Sequence, residues 1–138
     1  MSYKIISHPA DTGIEIEADN LEGVLRAAVE GFNATIFEHP ELVQEKEERT
    51  IKVSGEDVKE LLVNFLTEVL VLLDSERFVA KDLEFKNIDE KNVEVVLKGG
   101  PVDLEKMSYI VEIKAITYHQ LEIEKKENKW HARIIFDV

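Results

Sequence analysis

Two stretches of the chain, 21–36 and 58–73, carry apolar residues every three or four positions, and from residue 77 onward the spacing turns to two. A helical period buries a stripe, and a period of two buries one face of a sheet. Leu21, Val24, Leu25, Ala28, Val29, Phe32 and Ile36 predict a first helix, which "HPE" (39–41) stops. Asp19 is its expected cap, with Glu22 three residues on completing a capping box. A second helix starts near Ser54 or Glu56. Its apolar positions, Val58, Leu61, Leu62, Phe65, Leu66, Val69, Leu70 and Leu73, cover more than half its circumference, so it is the central core helix.

Strands are predicted at 3–7, 13–18, 48–55, 77–87, 92–99, 109–116, 118–126 and 129–137. "NIDEKN" (87–92) and "KKENK" (125–129) are read as hairpin turns, and "KGGPVD" (98–103) as a break. The expected fold is α+β, a two-layer domain with two helices packed on a largely antiparallel β-sheet. With no linker or low-complexity tract, residues 1–138 are expected to form a single domain.

Charge and cysteine narrow the function. Twenty-nine acids face 17 bases, a net of −12. Such a surface repels phosphate backbones and disfavours direct nucleic-acid binding, while it favours cations and basic partners. The absence of cysteine removes disulfides, thiolate catalysis and cysteine-based zinc sites. The longest apolar run is "VLVLL" (69–73), and the N-terminus lacks a basic region followed by an apolar stretch. A soluble, cytoplasmic protein with no membrane association is expected.

"SHPADTGIEIEADN" (7–20) contains Asp11-Thr12-Gly13, the triplet of aspartic proteases. That chemistry needs two carboxylates sharing one proton and a nearly all-β fold. The preceding His-Pro-Ala is not an apolar strand, two helices are predicted, and three common residues are a weak match. The protease reading fails on those grounds. Pro9 restricts His8 to extended geometry, and Gly13 allows a tight turn or the close approach of a ligand. Asp11 either caps a turn or serves a site.

The far end of the sequence, "ARIIFDV", is a β-forming run that carries Asp137 and then the carboxylate of Val138 with no polar tail. With Asp11, if the strands neighbour each other, these make a dense negative cluster. A hard cation, calcium first and then magnesium or manganese, would resolve it through oxygen donors. Sequence spacing alone does not place Asp11 beside Asp137.

In "IKAITYHQLEI" (113–123), alternation puts Lys114 on one face with Ile116 and Tyr118. Lys114 either snorkels or offers a point charge to a carboxylate or phosphate. His119 is a further candidate, with a structural hydrogen bond as the alternative. His8, His39 and His131 show no ligand spacing.

Together "HPADTGIEIEA", "KAITYHQLEI" and "ARIIFDV", in this order and in a short chain, resemble the archease family. The resemblance implies a small α+β accessory protein of tRNA processing rather than an enzyme. Archeases activate the RtcB-type RNA ligase of tRNA splicing, promoting its guanylylation by GTP and multiple turnover. They are also linked, as chaperone-like specificity factors, to a tRNA cytosine methyltransferase. The family's metal site maps here onto Asp11, Asp137 and Val138. Lys114 matches a position implicated in ligase activation.

Overall fold

A computed structural model describes residues 1–8 and 11–138, with the side chains of residues 7, 8 and 11 outside that description. The expectation for Pro9 therefore lies outside the described residues. The element order is β1 (Ser2–His8), β2 (Asp11–Ala18), α1 (Leu21–Ile36), a 3₁₀ turn (Pro40–Leu42), β3 (Glu47–Ser54) and α2 (Val58–Glu76). Then follow β4 (Phe78–Ile88), β5 (Asn92–Pro101), α3 (Leu104–Met107), β6 (Ala115–Lys126) and β7 (Lys129–Asp137).

The class is α+β, helices on antiparallel sheets. The strands divide between two sheets, ordered β1-β2-β7-β6 and β3-β5-β4, with every named pair antiparallel. Alternation within a strand says which face is buried but not which neighbour it pairs with, so this division is not legible in the pattern. Both long helices touch both sheets: α1 packs on β1, β2, β7 and β4, and α2 on β6, β3 and β4.

Helix α1 is capped by Asn20, whose Oδ1 accepts the Gly23 N–H at 2.8 Å. The cap is thus one residue later than Asp19. Glu22 then sits at the second helical position, one short of the capping-box site. Helix α2 begins after Asp57, which accepts the Glu60 N–H at 2.9 Å, slightly later than the sequence suggests. Its inward face, Leu61, Leu62, Phe65, Leu66, Val69, Leu70 and Leu73, is buried, as a central helix requires. It ends where Arg77 turns left-handed, φ 55°, and its N–H returns to the carbonyls of Leu72 and Leu73.

Two further segments differ from the sequence reading. Gly99, Gly100 and Pro101 continue β5, and the break comes only at Asp103, which caps the short α3. Residues 109–114 form no strand: the amides of Ile110 and Val111 go to the Ile36 carbonyl at the end of α1, at 2.7 and 3.4 Å. Backbone groups taken by a helix terminus are lost to a ladder. The last two predicted β segments after this stretch are one hairpin, β6–β7. Its turn holds Glu127 and Asn128 at φ 52° and 67°, as a two-residue turn with both centres left-handed demands.

Candidate functional site

The C-terminal half of β7 is fixed from the inside. Ile134 and Phe136 are fully buried, and the Phe136 ring meets Phe32 of α1 edge-on at 6.1 Å. Alternation then turns Asp137 outward, where it is exposed. Val138 is half-buried and packs against the core.

Three segments converge at this end of the sheet. Asp11, the first residue of β2, is the register partner of Asp137. On the other side Ala115, the first residue of β6, also pairs with Asp137. Directly opposed positions share a face of the sheet, with Cα atoms about 4.5–5.5 Å apart. The backbone N–H of Lys114 donates to the Asp137 carbonyl at 2.7 Å. Strand pairing thus brings Asp11, Lys114, Asp137 and Val138 to one end of the sheet, although they lie at opposite ends of the sequence. The Asp11 side chain lies outside the described residues. Among the described residues no group of three His, Asp or Glu side chains gathers around one point.

The same outer face shows how unusual this row is. Two rows along the same face, beyond the Gly13–Ile135 pair, Arg133 bonds Glu15 at 3.1 Å and lies 3.7 Å from Glu122. Further along, Lys129 pairs with Glu17 at 3.2 Å and Lys126 with Glu124 at 2.9 Å. Asp137 has no ion pair among the described residues. Acids elsewhere on the face are matched by bases, whereas the end row opposes two acidic positions.

Gly13 is not at a turn. It lies inside β2 opposite Ile6 and Ile135, and a Cβ there would run into the Ile134 carbonyl oxygen and the Ile135 side chain. The missing side chain lets β2 close on β7, which keeps Asp11 in register with Asp137.

Lys114 does not share a face with Ile116. Ile113 and Ile116 are buried and Lys114 is exposed, because Lys114 precedes the strand and its alternation starts only at Ala115. The Lys114 ammonium has no ion pair among the described residues. His119 is exposed too, on an irregularity between Thr117 and Glu122 where β6 leaves its register with β7. Its N–H donates to Thr117 Oγ1 at 3.2 Å, and that hydroxyl donates to the Ile135 carbonyl at 2.9 Å. The bulge begins two strand positions, about 7 Å, from the Asp137 row. It holds Gln120 at φ 52° and leaves Tyr118 57% exposed. Partial burial raises the Tyr118 phenol above its usual range, and Glu60 and Asp57 at the start of α2 push it further in the same direction.

A separate cleft of about 300 Å³ opens between the end of α2 and residues 104–113. Ile36, Phe37, Leu73, Leu104, Tyr109 and Ile113 line it, with Asp74, Arg77 and Glu112 among its charged residues. Leu104, Tyr109 and Ile110 are each about half exposed, and Leu42 lies in the adjoining groove with Leu104. The sequence gives no periodic signal for this strip, since it forms where a predicted strand is absent. Among the described residues no helix is long and apolar enough to cross a membrane.

Comparison with known proteins gives a consistent picture. A family profile described as "Archease protein family (MTH1598/TM1083)" matches residues 3–138. Protein archease of Pyrococcus abyssi is 39% identical over 136 residues, 95% of this chain and 94% of that protein. The Archaeoglobus fulgidus protein of the same name is 32% identical over 140 residues and all of both chains. The solution structure of protein 1598 from Methanobacterium thermoautotrophicum has a TM-score of 0.80 at 26% identity, covering 99% of this chain and 98% of that one. A Thermotoga maritima crystal structure, described as an archease and possible chaperone, shares the fold. Its TM-score is 0.65 at 20% identity, over 96% of this chain and 94% of that one.

Proposed function

The chain belongs to the archease protein family, and on that premise we propose that it is an accessory factor of tRNA splicing. In this reading it activates an RtcB-type RNA ligase, promoting guanylylation by GTP and repeated turnover, and is not itself the catalyst. The observation that carries the reading is the end row of the outer sheet face, where Asp11 and Asp137 are opposed and Asp137 lacks a base among the described residues.

Opposed like charges on neighbouring strands are destabilising unless something compensates them. The donor chemistry fits a hard divalent cation, calcium first, with magnesium or manganese as alternatives. Asp11 and Asp137 would hold it through their carboxylates and Val138 through backbone oxygen. When bound, the cation supplies positive charge of the kind that offsets triphosphate charge. The chain's own contribution is placement. Phe136 and Val138 anchor the end of β7 against the core, and the Lys114 N–H fixes the Asp137 backbone. The exposed Lys114 ammonium and His119 stand beside the row as groups for the ligase or its nucleotide. The net charge of −12 suits docking on a basic, RNA-binding partner.

The test is ligation turnover by the ligase with GTP and Mn²⁺, with and without this protein. Stimulation should be strong with the wild type and lost with Asp11→Ala and Asp137→Ala. Full stimulation by both folded variants would exclude placement of a cation by these residues.

A second reading has its own observation, the exposed apolar strip of Leu42, Leu104, Tyr109 and Ile110 beside the cleft. Exposed apolar surface of this kind suits a chaperone-like grip on a client such as a tRNA cytosine methyltransferase. Unchanged ligation turnover, together with reduced aggregation of the methyltransferase, would select it.

A further inference from the structure

The cleft between the end of α2 and residues 104–113 has a closed, apolar floor, where Ile36, Phe37, Leu73 and Ile113 are buried. Leu104 and Tyr109 form its rim, 49% and 51% exposed, and the Tyr109 ring meets Phe37 edge-on at 6.2 Å. Tyr109 follows Ser108, which takes φ 53° and ψ 108° at the end of α3. A residue other than glycine holds such a conformation only where its surroundings over-determine it, and such residues cluster at ligand clamps. Ser108 is pinned on both sides. Its N–H donates to the Leu104 carbonyl at 3.3 Å, and its carbonyl accepts the Glu38 N–H at 2.8 Å.

Asp74, Glu112 and Arg77 are the charged residues that line the cleft. All three are exposed, and none has an ion pair among the described residues. Burial raises the Tyr109 phenol above its usual range, and Glu112 and then Asp74 raise it further. Both carboxylates therefore lie within electrostatic reach of one point, the hydroxyl end of that ring. Arg77 opposes them and acts least. It stands at the junction with the adjoining groove, since Arg77 and Leu104 line both. An apolar floor, an aromatic ring and two carboxylates without a base fit an amphipathic cation. Its stem packs on the floor, and its head meets the ring and the acids.

We propose that this cleft receives an arginine side chain of a protein partner, with the apolar neighbours of that arginine lying along the groove. The inference rests on the reading of this strip as a surface that grips a protein. Charge selects a base as the occupant: two acids face one base in the cleft, on a chain of net charge −12. Shape selects arginine among bases. Its guanidinium is planar and weakly hydrated, stacks on aromatic rings, and presents a fork of donors that two carboxylates can share. The adjoining groove selects a polypeptide over a free small cation. Past Leu104 the surface runs on to Leu42 and Val102, which a chain segment covers and a lone guanidinium leaves bare.

The probe is a capped peptide with one arginine between two leucines, titrated into the full chain and followed by NMR. Binding should shift the methyl signals of Leu73, Leu104 and Ile113. Citrulline in place of the arginine keeps the shape without the charge and should weaken binding by at least about tenfold, the scale of a hydrogen bond to a charged group. Asp74→Asn and Glu112→Gln should each weaken it by about two- to fivefold, as exposed ion pairs do. Arg77→Gln removes the one base among the lining residues and should tighten binding, which no folding defect imitates. Butylguanidinium alone should bind at least about tenfold more weakly than the peptide, for want of the leucines. The proposal is overturned if these methyls show no saturable shift, if the citrulline peptide binds equally well, or if the three variants leave the affinity unchanged. Butylguanidinium that matches the peptide overturns the polypeptide occupant. A methyltransferase kept soluble by a chain that does not tell arginine from citrulline sinks this inference and leaves the client reading standing. Arginine-selective binding without any effect on the methyltransferase does the reverse.

Discussion

The backbone of Asp137 is held from both sides: its carbonyl accepts the Lys114 N–H at 2.7 Å, and its register partner across the ladder is Asp11. Like charges in that relationship cost about 0.2–1 kcal/mol when uncompensated. Asp137→Asn should therefore raise the melting temperature slightly in chelator. Added Ca²⁺ should raise the wild-type midpoint by several degrees, since a ligand at 100 times its dissociation constant contributes about 2.7 kcal/mol. The variant should gain much less, so the order of the two midpoints reverses on adding calcium. Scanning calorimetry with chelator and with calcium checks it; equal calcium shifts in both proteins count against the site.

Gly13 governs the same row from a distance. A Cβ at this position would meet the Ile134 carbonyl oxygen, which is backbone and cannot rotate away. Gly13→Ala should destabilise the fold by about 1–3 kcal/mol, the usual cost of overpacking. It should also reduce the calcium shift, because β2 must move off β7 two residues from Asp11. A urea midpoint equal to that of the wild type would show that the sheet absorbs the methyl group.

How much of this was legible depended on what each residue does. The two helices were readable because Leu25, Phe32, Leu62, Leu66 and Leu73 are buried, and burial is what periodicity encodes. The start of α1 slipped by one residue because Asp19 and Asn20 are both good caps, and only backbone geometry separates them. The strand predicted at 109–116 failed because Ile110 and Val111 bond the end of α1, a long-range event with no local signal. Of the site, Asp11 stood out through its Asp-Thr-Gly triplet and Asp137 as an acid closing an apolar run, but their opposition depends on strand order. The sequence could not place Lys114, since its orientation depends on where β6 begins.

Asp89 offers a test by pH. Its carboxylate accepts the Lys91 and Asn92 N–H groups, each at 2.8 Å, in the β4–β5 turn. These bonds, Lys91 first, hold its pKa below the usual 3.8. A depressed folded pKa gives stability that is fully present above the unfolded value and lost as pH falls through the folded one. In an NMR titration the Asp89 carboxyl midpoint should lie below 3.8. The stability gap between wild type and Asp89→Ala should narrow in strong acid. A gap that stays constant with pH would show that the charged form is not what the turn favours.

Lys114 separates two roles that the fold leaves side by side. Its amide is committed to the Asp137 carbonyl, while its ammonium is exposed and without an ion pair among the described residues. Lys114→Ala keeps the amide and removes only the ammonium, so stability should change by less than about 0.5 kcal/mol, as for surface substitutions generally. The calcium shift should be unaffected as well, because no carboxylate of the row depends on this side chain. Ligase stimulation should nevertheless fall, and Lys114→Arg should restore part of it if a point charge is what matters, less if the compact ammonium is needed. Measuring the calcium shift and ligation turnover on the same preparations separates the cases. Loss of both would make Lys114 a group that orders the acidic row, and loss of turnover alone would make it a contact for the partner or its nucleotide.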